Sequence, residues 1–281
     1  MERLAPQGTT GEALMERARG RPARLENLLV SPTDLPKSDL CSVCGSTGWK
    51  GVGVDGVRRV TTCACALERA RRRKLEKVPP RYRWARLKTL NPHPDLERWG
   101  AVPELQARVI GLLNQSPDDS YAFFGPTGVG KTTYLYAIYQ HAVQVQLRAC
   151  WCVQMPRLVS DLRALEFGTE KEPCLCRRMI QDAQEENLRP RIFVDEFDKV
   201  NVTDFALNSV GELVDTIYNF SGQDGKGVQF VMATNLNRQE FVSVWGNHIL
   251  RRIEEMARVV DFFEAIAKLG SLEGNQLVAT R

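Results

Sequence analysis

Long apolar runs are missing from this sequence. No stretch of its 281 residues approaches the roughly 18 consecutive apolar residues that a membrane-spanning helix needs. The first 30 residues are repeatedly charged and contain no apolar core, which excludes a secretory signal peptide. We therefore expect a chain with no membrane partner.

The sequence also has little net charge and no internal repeat. Hydrophobic residues make up 43% and charged residues 26%, which is ordinary for a globular protein and excludes a fibrous or mostly disordered chain. The net charge of +4 conceals an uneven distribution, because residues 1–100 contain 20 Lys and Arg against 11 Asp and Glu, whereas residues 101–281 contain 18 against 23. A basic first third and an acidic remainder predict two modules with different functions.

The eight cysteines divide in the same way, with four in each part. Those of the basic third are Cys41, Cys44, Cys63 and Cys65. They form a Cys-x-x-Cys pair and, after eighteen residues, a Cys-x-Cys pair. Two such pairs joined by a small hairpin predict a tetrahedral, structural Zn²⁺ site of four thiolates. Free structural cysteines and an iron–sulfur cluster are the alternatives.

The second cysteine set favours a different interpretation. Cys150 and Cys152 fall in a predicted strand, where both would face one side as small hydrophobic residues. Cys174 and Cys176 lie in or beside a helix of another element. Packing is therefore the preferred role, and a second metal site is the alternative.

From residue 120 onward, short apolar runs alternate with helical patterns. The predicted strands span 121–124, 149–153, 191–194, 228–233 and 258–262, and the predicted helices span 132–145, 157–165, 205–220 and 249–257. This alternation predicts an α/β fold with a parallel sheet flanked by helices. The segment that contains Pro92, Pro94 and Pro103 is expected to connect this part to the basic third.

A phosphate-binding pattern lies between the first of these strands and the helix after it. Residues 125–132 fit G-x-x-x-x-G-K-[ST] at every fixed position, and a chance match in a glycine turn is the alternative. The glycines let backbone N–H groups turn towards a β-phosphate, Lys131 adds charge for the β- and γ-phosphates, and the Thr132 hydroxyl is a Mg²⁺ ligand. The predicted nucleotide-binding residues are Gly125, Pro126, Thr127, Gly128, Val129, Gly130, Lys131, Thr132 and Thr133.

Two carboxylates, Asp195 and Glu196, follow the predicted strand at 191–194. Asp195 would hold Mg²⁺ directly or through water, and Glu196 would orient and deprotonate an attacking water. Because a protein that only binds nucleotide does not need the second acid, the pair predicts hydrolysis. The alternative is that both carboxylates cap the next segment. Asp198 is expected at the surface.

Four segments in order resemble those of AAA+ ATPases. Residues 125–132, 193–196, 231–235 and 251–253 resemble the Walker A, Walker B, sensor 1 and arginine-finger segments. The finer resemblance is to the DnaC-type replicative helicase loaders, including the DnaI-like and IstB-like branches. It rests on the first cysteine set, the basic stretch after it, Pro-Arg-Tyr-Arg at 80–83 and Met-Pro-Arg-Leu at 155–158, and it spans about residues 40–262.

The resemblance implies roles for further residues. Asn235 would be the sensor 1 residue that helps to position the attacking water, and a turn beginning there is the alternative. Arg252, with Arg251 as the other candidate, would reach the γ-phosphate held by a neighbouring subunit, so that hydrolysis requires a homo-oligomer. The resemblance also implies ATP as the nucleotide and a cytoplasmic location. No C-terminal lid is expected after residue 262, which agrees with the lidless members of this family. No Asn-Lys-x-Asp guanine reader is present.

A basic stretch between residues 67 and 88 contains ten Lys and Arg against Glu68 and Glu76. Its first half is expected to be helical and to end at two prolines. Such a stretch can follow a nucleic-acid backbone while aromatic residues stack on unpaired bases. An acidic partner, packing on the acidic part of the chain and a solvated helix face are the alternatives. The candidate contacts are Arg71, Arg72, Arg73, Arg81, Tyr82 and Arg83.

Together these features predict an ATP-dependent helicase loader that binds a hexameric replicative DNA helicase and single-stranded DNA. An IstB-like transposition helper acting on duplex DNA and a non-hydrolysing zinc-containing adaptor are the alternatives. The predicted organisation is a partner-binding or flexible segment (1–38), a zinc-binding module (39–66), a basic helix and linker (67–115), an AAA+ domain (116–268) and a tail (269–281).

Overall fold

The structure is a computed structural model of the chain. It describes residues 41–54, 57–91, 103–147, 149–166, 175–185, 187–221 and 227–267. The segments predicted at 1–38 and 269–281 therefore lie outside the described residues. None of the helices in the described ranges is both long and apolar enough to cross a membrane.

By its internal contacts the chain divides into two units, residues 1–72 and 73–281. In the first unit, β1 (Trp49–Val54) and β2 (Val57–Thr62) form an antiparallel hairpin in which Trp49 pairs with Thr62. Valine and threonine favour these strands because their β-branched side chains fit a pleated surface. Helix α1 (Ala64–Glu76) begins just after β2 and runs across the boundary between the units.

The second unit contains a five-stranded parallel sheet. Its strands, in the spatial order β4-β5-β6-β3-β7, are β3 (Tyr121–Phe124), β4 (Cys150–Gln154), β5 (Arg191–Asp195), β6 (Gln229–Thr234) and β7 (Arg258–Asp261). Neighbouring strands are parallel in all four pairs. Every residue of β3, β5 and β6 is buried, as in strands covered on both faces. The predicted α/β fold is confirmed.

Helices cover both faces of this sheet. They are α2 (Pro103–Gln115), α3 (Lys131–Val145), α4 (Met155–Glu166), α5 (Leu175–Glu185), α6 (Asp204–Ser221), α7 (Arg238–Trp245) and α8 (Asn247–Met256). Because successive strand residues face opposite sides, Tyr121 and Phe123 pack with α2 and α3, whereas Ala122 and Phe124 pack with α4, α6, α7 and α8. The sheet thus separates two hydrophobic cores.

Three of these helices, α2, α5 and α7, have no predicted range, although Cys174 and Cys176 are expected in or beside a helix. α2 occupies part of the expected linker and starts at Pro103, since proline suits the first position of a helix. α7 starts with a capping box, in which Asn237 Oδ1 accepts from Glu240 N–H at 2.9 Å and Glu240 Oε2 accepts from Asn237 N–H at 2.8 Å. The strands and helices predicted from residue 120 onward are present, with bounds that differ by at most two residues.

Candidate functional site

Three loops meet at the carboxyl edge of the sheet, because β5, β6 and β3 are consecutive parallel strands. The loop after β3 contains Gly128 (φ +97°) and Gly130 (φ +96°), both in the left-handed region that favours glycine. A Cβ atom on Gly125 would lie 2.7 Å from the Cβ of Phe262. Conformation at two positions and space at the third therefore require glycine in the P-loop, residues 125–132.

Lys131 lies buried in the first turn of α3, beside Thr132 and Thr133. Its ammonium group donates to the carbonyl oxygens of Gly125 at 2.8 Å and Pro126 at 2.7 Å. Burial lowers the pKa of Lys131 to about 8, although nearby Asp198 and Asp195 oppose the shift. Backbone carbonyl groups of the P-loop therefore hold the Lys131 ammonium group in place.

The Thr132 hydroxyl donates to Asp195 Oδ1 at 3.1 Å, which joins the P-loop to the end of β5. The same oxygen accepts the N–H of Glu196 at 3.0 Å. Asp195 is only 3% exposed, and this burial raises the pKa of its carboxyl group. A hydroxyl and a carboxylate side by side are the oxygen ligands that Mg²⁺ prefers, so the pair fits the predicted magnesium site.

Glu196 has a backbone φ of +56°, an unusual value for a residue with a side chain. Its carboxylate pairs with Lys199, with Oε1 and Nζ 2.8 Å apart. Such backbone strain persists where the surrounding structure fixes it and is often found at functional sites. The contact with Lys199 holds the carboxylate in a defined position at the mouth of the site.

Asn235 follows β6 directly and reaches both neighbouring loops. Its Oδ1 lies 3.5 Å from the hydroxyl oxygen of Thr127 in the P-loop. On its other side, Asp198 accepts the backbone N–H of Asn235 at 2.9 Å and the Nδ2–H at 3.0 Å. The expectation that Asp198 is a surface residue is therefore corrected, because the turn at Glu196 directs its carboxylate onto β6.

Tyr82 was grouped by sequence with nucleic-acid or partner contacts, but it lies beside the P-loop. Its ring stacks on Tyr136 with centroids 5.1 Å apart, and Tyr136 lies one helical turn after Thr132 on α3. Burial raises the pKa of Tyr82, the carboxylates of Asp195 and Glu196 raise it further, and a hydrogen bond with the Thr132 side chain opposes the shift. The Pro-Arg-Tyr-Arg motif at 80–83 contains Tyr82 but does not predict a position beside the P-loop.

The arginines at the end of the basic stretch also make contacts within the second unit. The Arg81 guanidinium lies 4.7 Å from the centre of the Tyr82 ring. Arg83 donates to the carbonyl oxygens of Glu76 at 2.8 Å and Val78 at 3.0 Å. These two arginines help to shape the segment that places Tyr82 beside the P-loop.

The first half of the basic stretch is helical, as predicted. Arg71, Arg72 and Arg73 all lie on α1, where Arg71 pairs with Glu68 at 2.7 Å over one helical turn. In the second unit, Lys74 donates to the carbonyl oxygens of Leu147 and Cys150, both at 2.7 Å. Part of the stretch therefore packs on the acidic part of the chain.

The two adjacent arginines of α8 have different environments. The Arg252 guanidinium lies 3.9 Å from the centre of the Tyr218 ring, and its Nε is 3.4 Å from Asp215 Oδ1. Its side chain is 31% exposed, whereas that of Arg251 is 77% exposed and pairs with Glu255 at 2.8 Å. Both arginines lie outside the three loops that bring together Lys131 and the other candidate catalytic residues.

Cys41, Cys44, Cys63 and Cys65 converge in the first unit, with all four Sγ atoms within 4.8 Å of one another. The Sγ atoms are 3.8 Å apart for Cys41 and Cys63 and 3.3 Å apart for Cys44 and Cys65. Four sulfur ligands of one tetrahedral zinc ion, each ~2.3 Å from it, lie about 3.8 Å from one another. The cluster thus fits a single tetrahedral metal ion.

The hairpin and α1 bring these cysteines together. Cys63 N–H donates to Gly48 O at 2.7 Å, which continues the β1–β2 pairing towards the cysteines. Arg69 on α1 approaches Cys65 Sγ at 3.7 Å and Ser46 O at 3.3 Å. The contact with Ser46 joins α1 to the loop between Cys44 and β1.

The second cysteine set is only partly described. Cys150 and Cys152 pack in the core on the α3 side of the sheet, and Cys150 Sγ donates to Gln146 O at 2.7 Å. Cys174 lies outside the described residues, as does the side chain of Cys176. Among the described residues, the metal-ligating side chains that cluster are those of the first set.

A model of the ATPase family associated with various cellular activities (AAA) matches residues 121–262. This range includes all three loops of the site and both arginines of α8. No curated protein sequence matches the chain significantly.

Several solved structures match part of the chain at low sequence identity. A DnaC helicase loader matches with a TM-score of 0.48 and 16% identity, over 65% of this chain and 99% of that chain. DnaI matches with a TM-score of 0.44 and 14% identity, over 66% and 94%. AMPPCP-bound DnaA from Aquifex aeolicus matches with a TM-score of 0.47 and 15% identity, over 66% and 50%.

Proposed function

The chain belongs to the AAA family of ATPases, and from that premise we propose that it loads a hexameric replicative DNA helicase onto single-stranded DNA. One observation supports the proposal: the same chain contains a compact four-thiol cluster and, at its P-loop, a Thr132 hydroxyl 3.1 Å from Asp195 Oδ1. The ordered motifs of the chain resemble those of DnaC-type loaders, and this resemblance is the reason for proposing helicase loading. This function would place the protein in the cytoplasm.

Nucleotide binding would begin at the P-loop. Backbone N–H groups at the start of α3 would surround the β-phosphate, since a helix N-terminus carries partial positive charge. Lys131 would exchange the carbonyl oxygens of Gly125 and Pro126 for phosphate oxygens. Thr132 and Asp195 would hold Mg²⁺, which neutralises phosphate charge when bound.

Hydrolysis would follow by attack of water on the γ-phosphorus. Glu196 would accept the water proton after its carboxylate leaves Lys199, and Asn235 would orient the water. A bond forms between the water oxygen and the γ-phosphorus as the bond to the β,γ-bridging oxygen breaks, which yields ADP and phosphate. Arg252 of a neighbouring subunit would stabilise the charge of the transition state.

The basic third would make the contacts outside the ATPase part. Cys41, Cys44, Cys63 and Cys65 would hold a structural Zn²⁺, because four thiolates leave no open coordination position for catalysis. This module and its flanks would engage the helicase. The basic stretch would attract the DNA backbone electrostatically, with Arg72 as an exposed candidate on α1.

The decisive experiment is a loading assay with the replicative helicase encoded by the same genome and closed circular single-stranded DNA. The wild-type protein should increase the amount of helicase bound to the circle in the presence of ATP. Glu196→Gln should bind ATP but lower kcat by about 100-fold or more, because it removes the general base, and should fail to complete loading. Lys131→Ala, which removes the phosphate-binding cation, should bind neither ATP nor helicase productively.

Two results would contradict the proposal. Stronger stimulation of ATP turnover by duplex than by single-stranded DNA, without helicase binding, would indicate the transposition helper. Normal helicase binding by Glu196→Gln and Lys131→Ala, with no effect of ATP on loading, would indicate an adaptor that uses nucleotide as a structural ligand.

A further inference from the structure

The Asp198 carboxylate holds Asn235 with both of its oxygens. Oδ1 accepts the backbone N–H of Asn235 at 2.9 Å, and Oδ2 accepts a hydrogen of its Nδ2 at 3.0 Å. The Thr234 hydroxyl lies 3.4 Å from Oδ1. Because one carboxylate binds both the main chain and the side chain of Asn235, rotation of that side chain would break a charge-assisted hydrogen bond.

The turn after β5 keeps this carboxylate in place. Phe197 N–H donates to Ala233 O at 3.0 Å, so the turn remains attached to β6 just before Asn235. The Phe197 ring is fully buried and contacts Phe241 and Trp245, with centroids 5.6 and 5.4 Å away. Asp198 therefore extends from a packed anchor rather than from a free loop.

The polarity of these bonds also determines which way the Asn235 amide faces. An ionised carboxylate only accepts hydrogen bonds, so the amide must present its nitrogen to Asp198 and its oxygen to the Thr127 hydroxyl, 3.5 Å away. An amide nitrogen carries two hydrogens, of which Asp198 takes one. The second can then be donated to the attacking water or to a phosphate oxygen.

We propose that Asp198 is a positioning residue of the ATPase, whose carboxylate fixes the orientation of the Asn235 amide for hydrolysis. The proposal rests on the role proposed above for Asn235. Asp198 acts through Asn235, so its loss slows the chemical step and leaves nucleotide affinity unchanged at a pH where Lys131 remains charged. This separates it from Lys131 and Thr132, which bind phosphate and metal.

The test is a set of variants measured for kcat, KM and affinity for a non-hydrolysable ATP analogue. Asp198→Asn has the same size but offers one acceptor and one donor, so it allows the Asn235 amide to turn over. We expect kcat to fall about tenfold. Because Asp198 also helps to keep Lys131 charged, KM and analogue affinity are compared at about pH 6.5, where Lys131 stays protonated, and should be within twofold of wild type. Asp204→Asn, which neutralises an exposed carboxylate at the start of α6, is the matched control and should have the wild-type kcat.

A double variant establishes that Asp198 acts through Asn235. Asn235→Ala alone should also lower kcat, and adding Asp198→Asn should slow it no further, since the group that Asp198 orients is already gone. Multiplied losses in the double variant would overturn the proposal. A wild-type kcat in Asn235→Ala would instead refute the sensor role itself, which distinguishes the two failures.

Charge alone is tested by Asp198→Glu, which keeps the negative charge but moves both oxygens on a longer side chain. We expect its kcat to remain as low as that of Asp198→Asn. Full activity in Asp198→Glu would overturn positioning in favour of a general electrostatic effect. The circular dichroism melting curve of each variant identifies unfolding, and Asp198→Asn with the melting curve and the kcat of wild type also overturns the proposal.

Discussion

At the scale of single residues, burial determines how the cation of the P-loop responds to pH. Lys131 is held by two carbonyl oxygens in a buried position, and the pKa of its ammonium group is lowered to about 8. Desolvation disfavours the charged form, which is the form that attracts phosphate. The group therefore loses its proton at a pH where an exposed lysine would stay charged.

This gives a prediction for nucleotide affinity. As pH rises through about 8, the charged fraction of Lys131 falls to about one tenth at pH 9, so the affinity of the free protein for an ATP analogue should fall by up to tenfold. Fluorescence titrations between pH 7.5 and 9.5 measure this directly, in a range where the nucleotide phosphates stay ionised. Lys131→Arg is the control, since arginine keeps its charge and should remove the pH dependence. An equally flat wild-type profile would contradict the prediction.

Most of the site could be read from the sequence because its side chains lie at strand ends. Asp195 and Asn235 each follow a buried apolar strand, and parallel strands bring such positions to one edge. Asp198 and Tyr82 could not be read in the same way. The place of Asp198 depends on a left-handed backbone at Glu196, and that of Tyr82 depends on stacking with Tyr136.

At the scale of secondary-structure elements, the helices that a sequence pattern marks are predicted, and those without such a pattern are not. Apolar residues at 158, 159, 162 and 165 lie at helical spacing and predict α4, and the sequence also predicts α3, α6 and α8. α2 is missed because the prolines around it predict a linker, and α7 is missed because it is a short helix that directly follows the turn after Asn235. Both helices nevertheless carry local start signals, proline at the first position and Asn-x-x-Glu.

The four cysteines that the β1–β2 hairpin brings together predict the zinc content of the protein. Four Sγ atoms within 4.8 Å should hold about one Zn²⁺ per chain, because each tetrahedral ion takes four thiolates. Cys44→Ser removes one ligand and should lower the zinc content to near zero. Inductively coupled plasma mass spectrometry measures this content. Cys152→Ala changes a packing cysteine and is the matched control that should keep the metal. Iron with visible absorbance, or zinc retained in Cys44→Ser, would contradict the prediction.

At the scale of the whole molecule, the net charge of +4 is the sum of two parts with different chemistry. The basic part contains the thiol cluster, and the acidic part contains the ATPase. A basic surface raises the rate of encounter with nucleic acid, whereas an acidic ATPase body repels it. Under the proposed function, this distribution favours DNA contacts through the basic part and leaves the ATPase surface for contacts between subunits.

Contacts between subunits should decide whether ATP is hydrolysed. Within one chain, Arg252 packs on Tyr218 and lies 3.4 Å from Asp215, so it must leave both to reach a neighbour's γ-phosphate. We therefore expect Arg252→Ala to lower kcat at least tenfold with little change in nucleotide affinity, and Arg251→Ala to have a smaller effect. The turnover of wild type per chain should rise with protein concentration as oligomers form.

Mixed oligomers test action between subunits directly. An Arg252→Ala chain keeps its own Glu196, and a Glu196→Gln chain keeps its own Arg252. An interface is complete when the Arg252→Ala chain holds the nucleotide and the Glu196→Gln chain contributes its arginine. Random mixing makes one interface in four productive, and co-expressed, doubly tagged oligomers should recover about a quarter of the wild-type rate. Mixtures as inactive as their parents would show that Arg252 does not act in trans. Full loss in Arg251→Ala, with complementation of that variant instead, would assign the role to Arg251.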